Sequence, residues 1–263
     1  MKKYITIAAL LAAGSALMNA EEMANAVVAA TCSFDFFSET VLTSKEGNHE
    51  LKLVDNYKPT FSNGAAVFTS GAQNVLFLSA GSTSLGSVGG TGTTITMTIS
   101  DFSYAEADAA VPHALFTTHT SDNYYNVWGM GLESASSMKG IYSGSIWSDQ
   151  RNTATTLPAS GKVVLTIVSD GAATKVYMNG ELATTISGLG YSNGKTIGQF
   201  QIGSTSNGAK GAGMTLHNLY IHDKALTSDQ VSAFVAALPE PSTFGLLAGL
   251  GALALVGTRR RRK

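Results

Sequence analysis

Apolar and polar residues alternate along this chain from residue 31 to residue 221. The alternation comes in short runs rich in valine, threonine, isoleucine and aromatic residues, which glycine, asparagine and serine separate. Successive side chains of a β-strand point to opposite faces of a sheet, so these runs predict strands with one buried face. The clearest runs are residues 64–69, 74–79, 93–100, 113–119, 124–132 and 162–169. No window before residue 225 sustains a helical period over three turns.

One unit in the second half of the chain indicates how the strands connect. In order it contains residues 162–169, the turn Asp170-Gly171, residues 174–178, the turn Asn179-Gly180 and residues 181–186. Asparagine followed by glycine is the favoured pair for a two-residue hairpin turn, because both positions tolerate positive φ. Three strands joined by short turns need a second sheet to cover their apolar face. The sequence therefore predicts an all-β fold, a two-sheet antiparallel sandwich.

The end of this body has its own pattern. A last strand is predicted from Met214 to His222, and Thr227 with Gln230 forms a capping box, in which each side chain bonds the backbone amide of the other residue. A short C-terminal helix should follow and end near Leu238.

These elements resemble the laminin G-like, concanavalin A-like family. The resemblance lies in the unit at 162–186, the last strand with its ending Lys224-Ala225-Leu226-Thr227, an early strand at 61–68 and a first core strand at 93–100. It spans roughly residues 31 to 236 and implies a jelly-roll sandwich that binds glycans or proteins. His217 and Asn218 stand where the family has two acidic residues in the last strand, which weakens the case for a calcium site there.

The N-terminus is typical of a secretory signal peptide. Lys2 and Lys3 precede an apolar stretch at residues 4–18, and small residues suited to cleavage follow as far as Ala26. We therefore expect residues 1–26 to be a signal peptide and the protein to leave the cytoplasm.

The C-terminus combines Pro239-Glu240-Pro241, an apolar run at 244–257 and five terminal cations, Arg259 to Arg262 and Lys263. The run is shorter than the roughly 17 to 25 residues of a bilayer-spanning helix, and the cations should stay on the cytoplasmic side. This arrangement resembles the PEP-CTERM sorting signal. The resemblance implies transient membrane insertion, recognition by an exosortase, cleavage near the proline pair, and delivery to the outer cell surface or an extracellular polysaccharide matrix. A plain tail anchor is the alternative.

These signals leave a domain at residues 27–238, between the signal peptide and a sorting segment at 239–263. Of 17 basic and 18 acidic residues in the chain, this domain keeps ten and fifteen, so its net charge is −5. An acidic body does not neutralise phosphates, which argues against nucleic-acid binding. The only cysteine, Cys32, excludes an internal disulfide, and we expect it to be a small buried residue.

The sequence has no complete glycoside-hydrolase or metal-hydrolase pattern. Related sandwiches include glycoside hydrolases with the pattern Glu-x-Asp-x-x-Glu, but the nearest match, Glu106 to Val111, lacks the second glutamate. The metal-hydrolase pattern H-E-x-x-H does not occur. The five histidines are expected at the surface or at sheet edges, and His217 and His222 should face opposite sides of a strand. We therefore predict a protein without catalytic residues or a required cofactor.

Aromatic and polar residues concentrate between residues 122 and 152, where flat rings could stack on sugars and amides or carboxylates could bind hydroxyls. The candidate ligand-binding residues are Asp122, Asn123, Tyr124, Tyr125, Trp128, Trp147, Asp149 and Arg151. Two alternatives stay open: Trp128 and Trp147 could belong to the core, and oxygen ligands of Asp122, Asn123 or Asp149 could bind calcium.

These observations predict a secreted, surface-sorted bacterial protein that binds a glycan or an extracellular polysaccharide without catalysis. A structural or adhesive matrix protein that binds protein partners is the main alternative, and a glycoside hydrolase is the other.

Overall fold

The computed structural model describes residues 29–35, 37–40, 42–53, 56–71, 74–80, 84–104, 113–120, 123–134, 137–141, 150–158, 160–189, 193–203 and 211–238. These residues form antiparallel strands and one C-terminal helix, α1 (Ser228–Ala237). The strands are β1 (Cys32–Phe34), β2 (Leu51–Leu53), β3 (Thr60–Ser62), β4 (Ala65–Phe68), β5 (Leu76–Ser79), β6 (Ser87–Val88), β7 (Thr93–Ser103), β8 (His113–Thr120), β9 (Asn123–Ser134), β10 (Ser137–Ile141), β11 (Gln150–Thr156), β12 (Val163–Asp170), β13 (Ala173–Met178), β14 (Glu181–Ser187), β15 (Lys195–Thr196), β16 (Gln199–Ile202) and β17 (Gly213–His222).

The strands form two large sheets and one small pair. The first sheet has the order β14-β13-β12-β7-β17-β4-β3, and β1 also pairs with β17. The second sheet has the order β11-β10-β9-β8-β16-β5-β2, while β6 and β15 pair separately. Strands distant in sequence, such as β7 and β17, are neighbours in this arrangement. The predicted all-β sandwich is confirmed.

Aromatic and aliphatic side chains fill the space between the two sheets. Trp128 on β9 is fully buried, and its Nε1–H donates a hydrogen bond of 3.0 Å to Oγ1 of Thr174 on β13, so its ring crosses from the second sheet to the first. Phe116 on β8 packs edge-on against Trp128, with ring centroids 5.4 Å apart, and lies 6.3 Å from the ring of Phe200 on β16. These contacts identify the inner face of the second sheet.

The predicted hairpin turn is present between β13 and β14. Asn179 and Gly180 have φ angles of 52° and 86°, in the left-handed region that this turn requires. The Asn179 N–H donates to the Val164 carbonyl at 2.8 Å, and the Val164 N–H donates to Oδ1 of Asn179 at 2.9 Å. The side chain of Asn179 thereby ties the turn to β12.

The segment at 61–68 differs from its expected form. It is not one early strand but a hairpin of β3 and β4, with the turn at Asn63 and Gly64. Their φ angles are 50° and 74°, so this Asn-Gly pair reverses the chain in the same way as Asn179-Gly180. The expectation of a single strand was wrong, because Asn63 and Gly64 adopt positive φ and reverse the chain.

The predicted capping box is confirmed at the start of α1. The Thr227 N–H donates to Oε1 of Gln230 at 2.9 Å, and the Gln230 N–H donates to Oγ1 of Thr227 at 3.3 Å. The hydroxyls of Ser228 and Tyr177 lie 3.0 Å apart, and Ser232 donates to the Gly180 carbonyl at 2.8 Å. These bonds hold the first turns of the helix beside β13.

Cys32 is fully buried on β1, where it pairs with Ile221, so the prediction for this residue is confirmed. Burial, with a smaller contribution from Glu46, raises the pKa of its thiol far above the usual value. Residues 1–26 and 239–263, including the predicted signal peptide and Pro239, lie outside the described residues. Within the described ranges, no helix is long and apolar enough to cross a membrane.

Candidate functional site

Polar side chains form a compact group on the outer face of the second sheet. Because side chains alternate along a strand, residues next to Phe116 and Phe200 point away from the core. Thr117 on β8 lies opposite Gln201 on β16, and Gln201 lies opposite Phe77 on β5. Two residues further along, and so on the same face, His119 lies opposite Gln199. We call this group, Phe77, Thr117, His119, Gln199 and Gln201, the polar patch.

The central residues of the polar patch are buried although they lie on an outer face. Thr117, His119 and Gln201 are 0%, 1% and 2% exposed, whereas Phe77 and Gln199 are half-buried. Oγ1 of Thr117 is 3.4 Å from Nε2 of His119. Oε1 of Gln201 has no hydrogen-bond partner. An unsatisfied buried acceptor costs about 1 to 3 kcal/mol, so this oxygen needs an explanation, such as a bound water or a functional role.

A glycine on β9 adjoins the patch. Gly129 lies opposite Thr117, and a Cβ atom there would be 2.7 Å from the Phe116 carbonyl oxygen and 3.1 Å from Cγ2 of Thr117. A side chain would therefore push into the neighbouring strand. Glycine within a strand often marks a place where a ligand or another backbone approaches closely.

Three of the candidate residues from the sequence lie beside the polar patch along the chain. Asn123, Tyr124 and Tyr125 begin β9, and Asn123 pairs with Thr120, the residue after His119. Their backbone therefore continues the sheet from the patch. The candidates Asp122, Trp147 and Asp149 lie outside the described residues, as does the carboxylate segment at 106–111.

Trp128 occupies the core position that the sequence left open as an alternative. It is fully buried between the sheets with its indole N–H bonded to Thr174, so no face of the ring is open to a sugar. Its burial follows from the alternation of side chains: Trp128 points to the inner face of the sheet, and the next residue, Gly129, lies on the outer face.

Arg151 joins the edges of the two sheets. Its Nη1 donates hydrogen bonds to the carbonyl oxygens of Ser187 at 2.7 Å and Gly188 at 2.6 Å. Arg151 belongs to β11, the edge of the second sheet, and Ser187 ends β14, the edge of the first. The guanidinium therefore connects strands of different sheets on one side of the sandwich.

The histidines correct an expectation from the sequence. His49, His113, His119 and His222 are buried, and only His217 is half-exposed. Polar and aromatic neighbours accommodate the imidazoles: Nδ1 of His49 is 2.8 Å from Oδ1 of Asn48, and the ring of His113 is 4.4 Å from that of Tyr104. The expectation of surface positions was wrong for these four histidines, and the contacts of His49 and His113 offset part of the cost of burial.

A second polar cluster lies on the first sheet, where β7 and β17 carry β-bulges. Asp101 has a φ of 55°, and the Ser100 hydroxyl lies 2.8 Å from Oδ2 of Asp101 and 2.9 Å from Nε2 of His217. Hydrogen bonds from Ser100 and Thr215 lower the pKa of Asp101. Burial, reinforced by the charge of Lys162, lowers the pKa of His217. Among the described residues, no three His, Cys, Asp or Glu side chains are grouped so as to hold a metal ion.

No residue of the polar patch was among the candidate site residues predicted from the sequence. The signal was nevertheless present in Gln199-Phe200-Gln201-Ile202, where two amides alternate with two apolar residues. In a strand, that pattern places both amides on the face opposite the core. Polar residues of the same kind alternate at Thr117 and His119, but their proximity to the glutamines depends on strand pairing.

A laminin G-like family model, described as the concanavalin A-like lectin/glucanases superfamily, matches residues 79–232, more than half of the chain. The chain belongs to the concanavalin A-like lectin/glucanase superfamily. The PEP-CTERM protein-sorting motif matches residues 237–262. Both resemblances found in the sequence are therefore confirmed.

Solved structures share the concanavalin A-like fold at low sequence identity. The Trypanosoma rangeli sialidase bound to the inhibitor DANA has a TM-score of 0.59 and 11% identity, over 86% of this chain and 38% of the sialidase. Botulinum neurotoxin type C has a TM-score of 0.60 and 12% identity, over 83% of this chain and 53% of the toxin chain. The ligand-binding domain of botulinum neurotoxin serotype D, in complex with N-acetylneuraminic acid, has a TM-score of 0.55 and 14% identity. The match covers 83% of this chain and 53% of that chain.

The superfamily member described here thus spans about half, or less, of the length of these solved chains. At these identities the likeness shows the fold. No curated protein matches the sequence.

Proposed function

We propose that this protein is a surface-sorted, non-catalytic carbohydrate-binding protein whose ligand lies over the polar patch and the start of β9. The observation that carries the proposal is the buried polar group on the outer face of a lectin-like sheet, with Oε1 of Gln201 unsatisfied. Amides, a hydroxyl and an imidazole next to an aromatic ring suit a sugar, since its hydroxyls both donate and accept hydrogen bonds and its ring carbons pack on aromatic faces.

The ends of the chain support export. The sorting motif at 237–262 is recognised during sorting by an exosortase, and we assign residues 1–26 to a signal peptide that brings the chain to that step. Residues 27–238 then form the binding domain, and residues 239–263 form the sorting segment, inserted in the membrane until it is removed. The destination is the outer cell surface or an extracellular polysaccharide matrix.

Two features support binding without catalysis. Glycoside hydrolysis usually needs two carboxylates on either side of the scissile bond. None of the five patch residues is a carboxylate, and Asp101 belongs to the other sheet. The sialidase with the same fold supports a carbohydrate ligand, but its chain is more than twice as long as the stretch that matches here.

Glycan-array binding by the exported protein tests the proposal. We expect binding to at least one polysaccharide or oligosaccharide class, and weaker binding after Phe77→Ala or Gln199→Ala, which truncate the two half-buried patch residues. Glu181→Ala, at an exposed position beside the Asn179-Gly180 turn, is the matched control and should bind normally.

Binding to a matrix protein with no glycan bound would contradict the proposal and support an adhesive protein. Release of reducing sugar that disappears in Glu106→Gln would instead support a hydrolase. Repeating the array with a calcium chelator tests whether Asp122, Asn123 or Asp149 contribute a calcium site.

A further inference from the structure

We infer that the polar patch selects uncharged, hydroxyl-rich sugars over sialic acids and uronic acids, with Oε1 of Gln201 accepting a hydrogen bond from a sugar hydroxyl. This inference rests on the proposed carbohydrate-binding function and names the ligand class of the same site.

The amide of Gln201 sets the chemistry at the centre of the patch. The residue is 2% exposed, and its Oε1 atom is an acceptor without a donor. A sugar hydroxyl carries a proton to donate and removes the cost of that unsatisfied group. An ionised carboxylate has no proton at neutral pH, so it would bring a second acceptor against the first. The unsatisfied acceptor therefore favours a hydroxyl, which can donate, over an ionised acidic group, which cannot.

The groups around Gln201 match the same class of ligand. Oγ1 of Thr117 can donate or accept, and the half-buried amide of Gln199 offers both an acceptor and donors at the accessible side of the patch. Phe77, directly opposite Gln201, presents a half-buried ring to the same side. Such a ring packs on the carbon face of a sugar, and nothing in this arrangement requires a charge on the ligand.

Basic residues of the second sheet lie at or next to its edges. Within the described strands of this sheet they are Lys52 on β2, Lys139 on β10 and Arg151 on β11. Lys139 forms an ion pair of 2.6 Å with Glu133, and Arg151 donates to the carbonyls of Ser187 and Gly188. Acidic sugars and other carboxylates are bound mainly through arginine and lysine, and these two cations are occupied.

Lys52 is the basic residue of the sheet in the same row as the patch. It lies opposite Phe77, which separates it from Gln201 by two strand spacings, about 10 Å. Its side chain is exposed at the edge strand. A carboxylate bound by Lys52 would therefore lie outside the centre of the patch, away from the unsatisfied amide oxygen.

The test uses the exported full chain and an array of neutral oligosaccharides, each paired with its sialylated or uronic-acid derivative. We expect binding to neutral members and at least tenfold weaker binding to the acidic partner of each pair. Gln201→Met keeps the length of the side chain and removes the acceptor, so we expect at least a tenfold loss of affinity with an unchanged or higher melting temperature. Lys52→Gln is the matched control and should leave both affinity and selectivity unchanged.

The outcomes separate this inference from the function on which it rests. Preferential binding of acidic glycans would overturn the inference and leave the carbohydrate-binding proposal intact. Loss of acidic-glycan binding in Lys52→Gln would do the same. Unchanged affinity in Gln201→Met would also overturn it, because an ordered water would then satisfy Oε1. Binding to no member of either series would overturn both proposals.

Discussion

At the scale of single residues, the contact between Trp128 and Thr174 shows how one polar bond fixes a large core side chain. The indole N–H is buried, and Oγ1 of Thr174 on the other sheet is its acceptor at 3.0 Å. Thr174→Val keeps the shape of the side chain but removes that acceptor. We expect the free energy of unfolding to fall by about 1 to 3 kcal/mol in chemical denaturation. Thr185→Val, at an exposed position on β14, is the control and should change it by less than about 0.5 kcal/mol.

Equal losses in the two threonine variants would contradict the assigned role of this bond. A tryptophan in the sequence does not by itself identify a ligand site, because aromatic residues occur both in protein cores and in sugar-binding sites.

The pKa of His217 gives a second prediction at this scale. Burial lowers it below the ordinary value of 6.5, the charge of Lys162 lowers it further, and Asp101 partly opposes both effects. The unfolded chain therefore binds a proton at higher pH than the folded chain. The stability contributed by neutral His217 is fully present above about pH 6.5 and is lost as the pH falls through and below that value.

We expect the free energy of unfolding to decline less steeply from pH 7 to pH 5 in His217→Gln than in the unmodified protein. Denaturant titrations at several pH values measure the two slopes, and their difference isolates His217 from the other histidines. Parallel slopes would show that His217 has the same pKa in both states.

At the scale of secondary-structure elements, Arg151 connects the edge strands β11 and β14. Replacing it with lysine keeps the charge but places the donor nitrogen one bond closer to the backbone than Nη1, which donates to both the Ser187 and the Gly188 carbonyl oxygen. Because these hydrogen bonds are exposed, we expect Arg151→Lys to lower the free energy of unfolding by only about 0.5 to 1.5 kcal/mol, with glycan affinity unchanged. Thermal unfolding and glycan titration on the same preparation test this. Lost affinity at unchanged stability would place Arg151 in the ligand site instead.

The turn between β13 and β14 yields the other prediction for an element. Gly180 has a φ of 86°, a conformation that costs a β-branched residue on the order of 1 to 3 kcal/mol. We expect Gly180→Val to lower the melting temperature clearly and Gly180→Asn to lower it less, because asparagine tolerates the left-handed region. Similar melting temperatures for the two variants would argue against strain as the cause.

How far the sequence predicts these elements depends on how local their determinants are. The turn at Asn179 and the cap at Thr227 are encoded within four residues, so turn and capping rules were sufficient. The hairpin at Asn63 carried the same dipeptide signal, but its strands, β3 and β4, have only three and four residues, too few for a clear strand pattern. The polar patch could not be predicted, because Thr117 and Gln201 become neighbours only when β8 and β16 pair.

At the scale of the whole molecule, the order of signal, sandwich and sorting motif leads to a prediction about processing. The match at 237–262 covers the proline pair, the apolar run and the arginine cluster. We expect the surface-associated protein to end near Pro241, as exosortase cleavage would leave it, and mass spectrometry of its C-terminal peptide measures this. Recovery of a chain that still carries Arg259 to Lys263 would show that the segment is retained as an anchor.

The hydrogen bonds of Arg151 between β11 and β14 also affect whether another copy of the protein can add a strand at this edge. An uncovered strand edge presents unpaired N–H and C=O groups that can template the addition of another chain, which is how sheets grow into aggregates. Arg151 already occupies the carbonyls of Ser187 and Gly188 and holds the second sheet beside that edge. Strand addition by a neighbouring copy is therefore blocked at that point of the edge.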